Sequence, residues 1–169
     1  MEAPGARHQP MSTARVITVS DGVSAKTRED ESGRALVAIL KQAGFEVSEP
    51  VVVSDDRQRI QDAIVAATEQ GADVVVTTGG TGLGPRDVTP QATSAVIDFE
   101  VPGIGEAMRR AGAASTPMAS LSRSMAGVRG QTLIISVPGS PKGAAESLEA
   151  VMPTLAHAIR LLHGNTSHE

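Results

Sequence analysis

The chain has 169 residues, 40% of them hydrophobic and 20% charged, which favours one globular domain with a single buried core. The net charge is −4 and the Lys and Arg residues are scattered, so the chain has no basic stripe that could bind a phosphate backbone. It has no Trp or Tyr on which bases could stack, and we therefore expect no nucleic-acid partner. The absence of Cys excludes disulfides and thiolate metal sites, and the apolar runs are too short to span a bilayer, so we expect a cytoplasmic protein without a membrane partner.

The first predicted elements are a tail, a strand and a polar loop. Residues 1–13 contain no apolar segment of the kind that a secretory signal needs, and we expect a disordered tail there. The β-branched run Arg15–Ser20 predicts a strand that ends at the turn signal Asp21-Gly22. A polar loop, Val23–Glu31, follows it.

Two amphipathic helices with a strand between them come next. Their apolar positions at helical spacing are Leu36, Ile39, Leu40 and Ala43 in the first and Ile60, Ala63, Ile64 and Ala67 in the second. We expect Ser32 to cap the start of the first helix and Gly44 to follow its end. Phe45–Val53 predicts the intervening strand. Asp55 and Gln58 have capping-box spacing, which favours Asp55 as the N-cap of the second helix.

The middle of the chain predicts a buried strand and a glycine loop. Asp73–Thr78 is an unbroken apolar run of the kind that is buried on both faces of a parallel sheet. The loop Gly79–Gly84 follows, and a helix is expected to start near Pro90. Gly105–Gly112 is expected to be helical, and Ser115–Gly130 to be irregular.

The last predicted elements are the strand Thr132–Val137 and a closing helical region. Ser140-Pro141 has the pattern of an N-cap followed by a proline in the first helical position, and Pro153 predicts a break or kink. This alternation predicts one three-layer α/β/α sandwich domain over residues 14–164, with a central, largely parallel (mixed) sheet and a short tail at 165–169.

Three glycine-bearing loops leave the carboxyl ends of predicted strands, where open α/β sheets bind ligands. They are Ser20–Gly33, Thr78–Asp87 and Pro138–Gly143. We expect them to converge on one crevice.

The glycine loop is typical of an anion cradle, because successive glycines let backbone N–H groups approach a ligand closely. It is neither of the two standard phosphate loops. A Walker A loop from Gly79 needs Lys at the position of Pro85, and a dinucleotide fingerprint from Gly80 needs Gly there. The second mismatch disfavours an NAD-dependent oxidoreductase.

Several polar residues near these loops allow two interpretations. Asp87 is either a surface partner of Arg86 or a ligand of Mg²⁺, which proteins hold by one or two carboxylates plus substrate phosphates. Asp30, Ser32 and Gly33 lead into a helix whose free N–H groups can hold an anion, or Ser32 is only a cap. Lys142 opposes the dipole of its helix, which favours an anion nearby. The four histidines, at positions 8, 157, 163 and 168, are expected to be structural or tail residues.

Taken together, the motifs resemble those of the MogA/MoaB family, which includes the G domain of gephyrin, over about residues 15–162. They are VSDG at 19–22, DESG at 30–33, SDD at 54–56, TTGGTGLGPRDVTPQA at 77–92, PGIGEAM at 102–108, LSR at 121–123, VRGQTLIISVPGSPKG at 128–143 and LAHAIRLL at 155–162. One departure is Gln91, where the family usually has Glu or Asp, but Gln91 is not one of the two acids, Asp55 and Asp87, that the resemblance assigns to catalysis.

The resemblance implies a molybdopterin adenylyltransferase, a nucleotidyltransferase that transfers AMP from ATP to the terminal phosphate of molybdopterin, releasing pyrophosphate, with Mg²⁺. It implies a homotrimer, with transient contact to a molybdenum insertase or molybdopterin synthase. The implied catalytic and metal residues are Asp55 and Asp87. The implied nucleotide-binding residues are Gly79, Gly80, Thr81, Gly82, Pro138, Gly139, Ser140 and Lys142. The implied molybdopterin residues are Ser20, Asp21, Asp30, Ser32, Gly33, Ser122 and Arg123.

Two alternatives remain open at this point. One is a non-catalytic molybdopterin carrier or scaffold of the same fold, against which the retention of both acids, Asp55 and Asp87, argues. The other is the related domain of CinA-type proteins, which would hydrolyse a pyrophosphate but normally carries more chain.

Overall fold

A computed structural model describes residues 10–166. The strands are β1 (Thr13–Val19), β2 (Glu46–Val47), β3 (Val51–Val53), β4 (Val74–Thr78), β5 (Phe99–Glu100), β6 (Met125–Arg129) and β7 (Thr132–Val137). The helices are α1 (Asp21–Ser24), α2 (Glu31–Gln42), α3 (Arg57–Glu69), α4 (Thr89–Val96), α5 (Pro102–Ala113) and α6 (Pro141–Leu162), with a 3₁₀ helix at Pro117–Leu121. Within this range no helix is long and apolar enough to cross a membrane.

The seven strands form one mixed sheet in the order β2-β1-β4-β7-β6-β5, with β3 also pairing with β1. β1, β4 and β7 are parallel neighbours, and β2 and β3 are parallel to β1. β6 and β5 are added antiparallel beyond β7. The predicted largely parallel sheet is therefore confirmed.

Helices cover both faces of the sheet. On one face, alternate side chains of the central strands pack against α2, α5 and α6, as shown by the cluster of Val16, Val76, Ile135, Leu36, Leu40, Met108, Leu148 and Leu155. On the other face they pack against α3 and α4, as shown by the cluster of Ile17, Val75, Ile134, Ile60, Ile64 and Ala92. All five residues of β4 are buried, which fits a strand covered on both faces. The three layers are therefore as predicted.

The early part of the chain differs from the prediction in its boundaries. β1 starts at Thr13, which the sequence placed in the tail, because the Thr13 backbone pairs with Glu46 of β2 and its carbonyl accepts a hydrogen bond from Asp73 N. The predicted strand Phe45–Val53 is two short strands separated by Ser48–Pro50, since Pro50 has no N–H to continue the ladder. The loop expected from Val23 starts with the last two residues of α1.

The largest error concerns Ser115–Gly130, which was predicted to be irregular. It contains the 3₁₀ helix and the strand β6, and the short strand β5 before it was not predicted. β6 is ordered by antiparallel pairing with β7, from Met125 opposite Ser136 to Arg129 opposite Thr132. That pairing is not encoded locally, since a Gly lies in the middle of the strand.

The helix caps differ from the prediction at two of three sites. Asp30, not Ser32, caps α2 by accepting a hydrogen bond from Gly33 N, and Asp56, not Asp55, caps α3 by accepting from Arg59 N. Ser140 caps α6 as predicted. The expected break at Pro153 does not occur: α6 runs through it, because buried side chains on both sides of the proline hold the helix against the sheet.

Asp73, just before β4, ties the two ends of the folded domain together. Its Oδ2 accepts a hydrogen bond from Thr13 N at 2.8 Å, and its Oδ1 lies 2.8 Å from His163 Nε2. His157 Nδ1 lies 3.1 Å from Arg160 on the exposed side of α6. These two histidines therefore make structural contacts, as expected, whereas residues 8 and 168, with most of the predicted tails, lie outside the described residues.

Candidate active site

A cleft of about 620 Å³ lies at the carboxyl ends of β1, β4 and β7. Most of its lining comes from the three loops that the sequence singled out: residues between Ser20 and Ser32, residues Thr78–Gly80 with Asp87, and residues Gly139–Pro141. Asp55, from the connection between β3 and α3, also contributes to the lining. The parallel order of the three strands brings these loops to one edge. The predicted crevice is therefore present.

The glycine loop passes against its neighbours too closely for a side chain. Gly79 and Gly80 have φ angles of 105° and 69°, in the left-handed region. A Cβ on Gly79 would lie 2.2 Å from Val19 O, and one on Gly80 would lie 2.3 Å from Thr89 Oγ1. Thr89 Oγ1 in turn donates a hydrogen bond of 2.8 Å to Gly79 O. The backbone of this loop is thus held at a fixed position in the cleft wall.

Asp55 is positioned by Asp21 through a reciprocal pair of hydrogen bonds. Asp21 N donates to Asp55 Oδ2 at 2.9 Å, and Asp55 N donates to Asp21 Oδ1 at 3.0 Å. Arg86 clamps Asp21 with two further bonds, from Nε to Oδ2 at 3.0 Å and from Nη2 to Oδ1 at 2.9 Å. Arg86 therefore pairs with Asp21 and not with Asp87, so the first interpretation of Asp87 is wrong.

The surroundings of Asp21 and Asp55 shift the pKa values of the two carboxyl groups in opposite directions. The bidentate hydrogen bond from Arg86 lowers the pKa of Asp21, and the bond from Asp55 N lowers it further. Burial raises the pKa of Asp55 above its usual range, and repulsion from Asp21 and Asp87 adds to this rise, although the hydrogen bond from Asp21 N works against it. Asp55 is thus a carboxylate whose negative charge a bound cation would stabilise.

Asp87 and the loop before it are braced by Arg123. The guanidinium of Arg123 donates to Gly82 O at 2.9 Å, to Asp87 O at 2.6 Å and to Gln91 Oε1 at 3.2 Å. The Asp87 side chain itself accepts a hydrogen bond from Gly84 N at 2.8 Å. Arg123 therefore fixes the position of Asp87, and Gln91, the departure from the family pattern, contributes to that brace.

A second cavity of about 490 Å³ adjoins the cleft and shares Gly80, Asp87 and Gly139 with it. The other lining residues are Thr81, Gly82, Leu83, Met118, Leu121, Ser122 and Pro138. Three of these are exposed apolar side chains: Leu83 at 67%, Met118 at 61% and Leu121 at 51%. The second cavity thus combines hydroxyl groups with apolar surface, and Asp87 lies at the boundary between the two spaces.

The predicted nucleotide-binding and molybdopterin-binding residues do not separate into the two cavities as two distinct groups. The cleft is lined by Ser20, Asp30, Ser32, Asp55, Gly79, Gly80, Asp87, Gly139 and Ser140, and the adjoining cavity by Gly80, Thr81, Gly82, Asp87, Ser122, Pro138 and Gly139. Asp21, Gly33, Lys142 and Arg123 line neither space. Lys142 is exposed and lies 3.8 Å from Glu146. The roles assigned to these residues stay predictions, but the proposed nucleotide and pterin groups each contribute to both spaces.

Sequence reasoning missed Arg28, which lines the cleft, and the apolar residues of the second cavity. Arg28 belongs to the loop Val23–Glu31, whose position after a strand was a signal, although no motif distinguishes Arg28 within it. Leu83 lies inside the glycine motif, but Met118 and Leu121 come from a segment that was predicted to be irregular.

Asp55 and Asp87 are the residues that could hold a metal ion. Each uses its Oδ2 to accept a backbone N–H, which orients the carboxylate in the cleft. Within residues 10–166, no group of three or more His, Cys, Asp or Glu side chains is arranged to hold a metal by itself. Two carboxylates completed by substrate phosphates are what Mg²⁺ usually binds, so the donor set fits that ion.

Comparison with known proteins gives consistent results. Residues 15–157 match the family model described as a probable molybdopterin binding domain. Molybdopterin adenylyltransferase of Helicobacter pylori (strain J99) is 40% identical over 153 residues, covering 89% of this chain and 87% of that protein. A molybdenum cofactor biosynthesis bifunctional protein of Synechococcus elongatus is 42% identical over 151 residues, and the chain spans 47% of its length. The crystal structure of the molybdopterin biosynthesis enzyme MoaB from Thermus thermophilus superposes with a TM-score of 0.85 at 48% identity, covering 91% of this chain and 98% of that one.

Proposed function

The chain belongs to the family of probable molybdopterin binding domains, and on that premise we propose that it is a molybdopterin adenylyltransferase. In the proposed reaction, an oxygen of the terminal phosphate of molybdopterin attacks the α-phosphorus of ATP. The new P–O bond forms as the bond to the β-phosphate breaks, and pyrophosphate leaves. Relatives at about 40% identity that are named for this activity support the proposal.

The observation that carries the proposal is the pair of adjoining cavities with Asp87 between them. A transfer between two substrates requires two binding spaces that meet at the reacting atoms. A protein that only carries a pterin has no need of the second space. Asp87, Gly80 and Gly139 line both cavities and therefore mark the place where the two substrates would meet.

The larger cleft is the better fit for ATP. It contains the tight glycine loop, whose backbone lies in the wall beside Asp55, and the start of α2, whose first N–H groups favour an anion. The smaller cavity fits the pterin, because Leu83, Met118 and Leu121 offer apolar surface to a planar ring while Thr81 and Ser122 add polar residues to the wall. In this arrangement three residues that the resemblance assigned to molybdopterin would instead bind ATP: Ser20, Asp30 and Ser32. Three that it assigned to the nucleotide would instead bind the pterin: Thr81, Gly82 and Pro138.

Within this proposal, the chain accelerates the reaction mainly by positioning. Well-oriented reactants can gain roughly 7–11 kcal/mol of barrier reduction from alignment alone. Asp21 N holds the Asp55 carboxylate, and Gly84 N holds the Asp87 carboxylate. Thr89 and Arg123 hold the backbone of the glycine loop. The site is therefore ordered before substrates bind. Mg²⁺ held by Asp55 and Asp87 would supply neutralisation of the phosphate charge.

The direct test is incubation of the purified protein with molybdopterin, ATP and Mg²⁺, followed by mass spectrometry for adenylylated molybdopterin and an assay for pyrophosphate. We expect both products from the wild-type protein and from the control variant Asp98→Asn. Asp98 is an exposed carboxylate near the amino ends of the strands and accepts a hydrogen bond from Gly130 N. Pterin binding without either product would instead favour the carrier function, and the homotrimer is tested by light scattering on the same sample.

A further inference from the structure

The side chains that line the large cleft carry more negative than positive charge. Among the described residues that line it, five are acidic, namely Glu29, Asp30, Glu31, Asp55 and Asp87, and only Arg28 is cationic. A nucleoside triphosphate brings several more negative charges into this space. Arg28 is therefore the one side chain of the described lining that offers a positive charge to such a ligand.

The other arginines near the cleft are already engaged. Arg34 pairs with Glu29, Arg86 is clamped on Asp21, and Arg123 donates to the carbonyls of the glycine loop. Within residues 10–166, the Arg28 guanidinium makes no ion pair or hydrogen bond with another side chain. An arginine without a carboxylate partner keeps its two-pronged set of donors available for a phosphate.

The stem of Arg28 is nevertheless held in place, at Gly22. A Cβ on Gly22 would lie 2.7 Å from Arg28 Cδ, so the arginine packs directly over the glycine backbone. Gly22 O also accepts hydrogen bonds from Thr27 N at 2.9 Å and from Arg28 N at 3.2 Å. The guanidinium therefore extends from an ordered turn, which reduces the entropy that a ligand would have to remove.

The position of Arg28 relative to the second cavity indicates which phosphates it meets. In a displacement at the α-phosphorus, the attacking and leaving oxygens lie roughly in line, on opposite sides of phosphorus. If the attacking phosphate comes from the adjoining cavity past Asp87, the leaving pyrophosphate must point into the large cleft. Arg28 lines only the large cleft.

We propose that Arg28 binds the β- and γ-phosphates of ATP, and hence the pyrophosphate that leaves. This inference rests on the proposed adenylyl transfer and adds to it a residue that recognises the leaving group. It distinguishes ATP from AMP, because AMP has the adenosine and the α-phosphate but lacks the group that Arg28 would hold.

The test compares three ligands by isothermal titration calorimetry in the presence of Mg²⁺: ATP, pyrophosphate and AMP. For Arg28→Gln we expect roughly tenfold weaker binding of ATP and pyrophosphate and an AMP affinity within about twofold of wild type. The matched control is Arg110→Gln, which removes an exposed arginine on α5 outside both cavities and should change none of the three affinities.

The outcomes separate this inference from the proposed function. If wild type and Arg28→Gln bind ATP equally while wild type forms adenylylated molybdopterin, the role of Arg28 is wrong and the function stands. An equal loss of AMP affinity in Arg28→Gln also contradicts the role, because it would point to the α-phosphate or to the fold. If the wild-type protein binds neither ATP nor pyrophosphate, both proposals fail.

Discussion

Asp21 and Asp55 hold each other in place, each accepting a hydrogen bond from the backbone N–H of the other, at 2.9 and 3.0 Å. The two residues follow different strands, β1 and β3, so this contact joins two loops at the edge of the cleft. Arg86 adds a third loop by its two bonds to Asp21. The position of the proposed metal-binding acid thus depends on a residue that does not line the cleft.

We predict that Asp21→Ala lowers the kcat of AMP transfer about 10- to 100-fold, the range found when outer partners of metal ligands are removed. The variant leaves the Asp55 N–H without its acceptor and frees Arg86 from its clamp. The KM for ATP should change much less, and Asp21→Asn, which keeps an acceptor oxygen, should restore part of kcat. If Asp21→Asn is as impaired as Asp21→Ala, the charge matters more than the hydrogen bond.

Asp87→Asn should reduce AMP transfer by at least about a hundredfold while leaving pterin binding intact, because it removes a charge at the boundary between the cavities without removing the acceptor for Gly84 N. The measurements are single-turnover rates and the quenching of pterin fluorescence. Asp98→Asn is the control for loss of one carboxylate charge. Turnover close to that of the wild type would remove Asp87 from the proposed mechanism.

Asp55→Asn should stabilise the protein at neutral pH although it impairs transfer. The raised pKa of Asp55 means that the folded state binds its proton more tightly than the unfolded chain does. Its contribution to stability is therefore present at low pH and is lost as the pH rises through the folded-state pKa. An uncharged Asn avoids this loss, so we expect a higher Tm than wild type at pH 7 and a smaller difference below about pH 4.

Thermal denaturation at both pH values checks this expectation. Asp62→Asn is the control, because Asp62 is an exposed helical carboxylate that accepts a hydrogen bond from Gln58. A lower Tm for Asp55→Asn at pH 7 would show that the stronger hydrogen bond from Asp21 N to a charged carboxylate outweighs the cost of burying that charge.

The pKa of Asp55 should fall in the Asp21→Asn variant, because one of the two repelling carboxylates is neutralised while the Asp21 N–H donor is kept. Carboxyl NMR titration of the protein free of metal and nucleotide measures it directly. An unchanged titration midpoint would mean that the charge of Asp21 does not contribute to the raised pKa of Asp55.

Gly79→Ala should destabilise the fold by about 2 kcal/mol or more, because the new Cβ would meet Val19 O at a residue with φ 105°. Gly103→Ala is the matched control: nothing lies within 4 Å of its Cβ position at the start of α5, and its φ is not in the left-handed region. Alanine there should be neutral or stabilise by up to about 1 kcal/mol. Urea denaturation of both variants tests the pair, and equal stability losses would contradict the strain at Gly79.

Local patterns predicted the parts of the fold that are stabilised locally. The buried strand before Gly79 and the strand Thr132–Val137 are continuous apolar runs, and the Ser140 cap needs only the order Ser-Pro. β6 was missed because its order comes from pairing with β7, not from its own residues. Likewise, the capping-box spacing from Asp55 to Gln58 pointed to the wrong residue, because the adjacent Asp56 is the one that caps α3.

The sequence predicted which loops form the candidate site, but not which side chains within it contact each other. Carboxyl-end loops of parallel strands must meet, so the crevice followed from the order of strands and glycines. The partner of Arg86 did not, since Asp21 lies 65 positions away in sequence. The division into two cavities depends on the 3₁₀ helix that brings Met118 and Leu121 beside the glycine loop, and no sequence signal identified that segment.

The shared contact of Thr13 and His163 with Asp73 has a consequence for how this domain can be joined to others. Both residues lie at the amino ends of the strands, whereas the cleft lies at the carboxyl ends. A polypeptide joined next to Thr13 or His163 would therefore leave the domain at the end of the strands opposite the cleft. Closeness of these two points also makes the domain suitable for circular permutation, with a short linker that joins them directly.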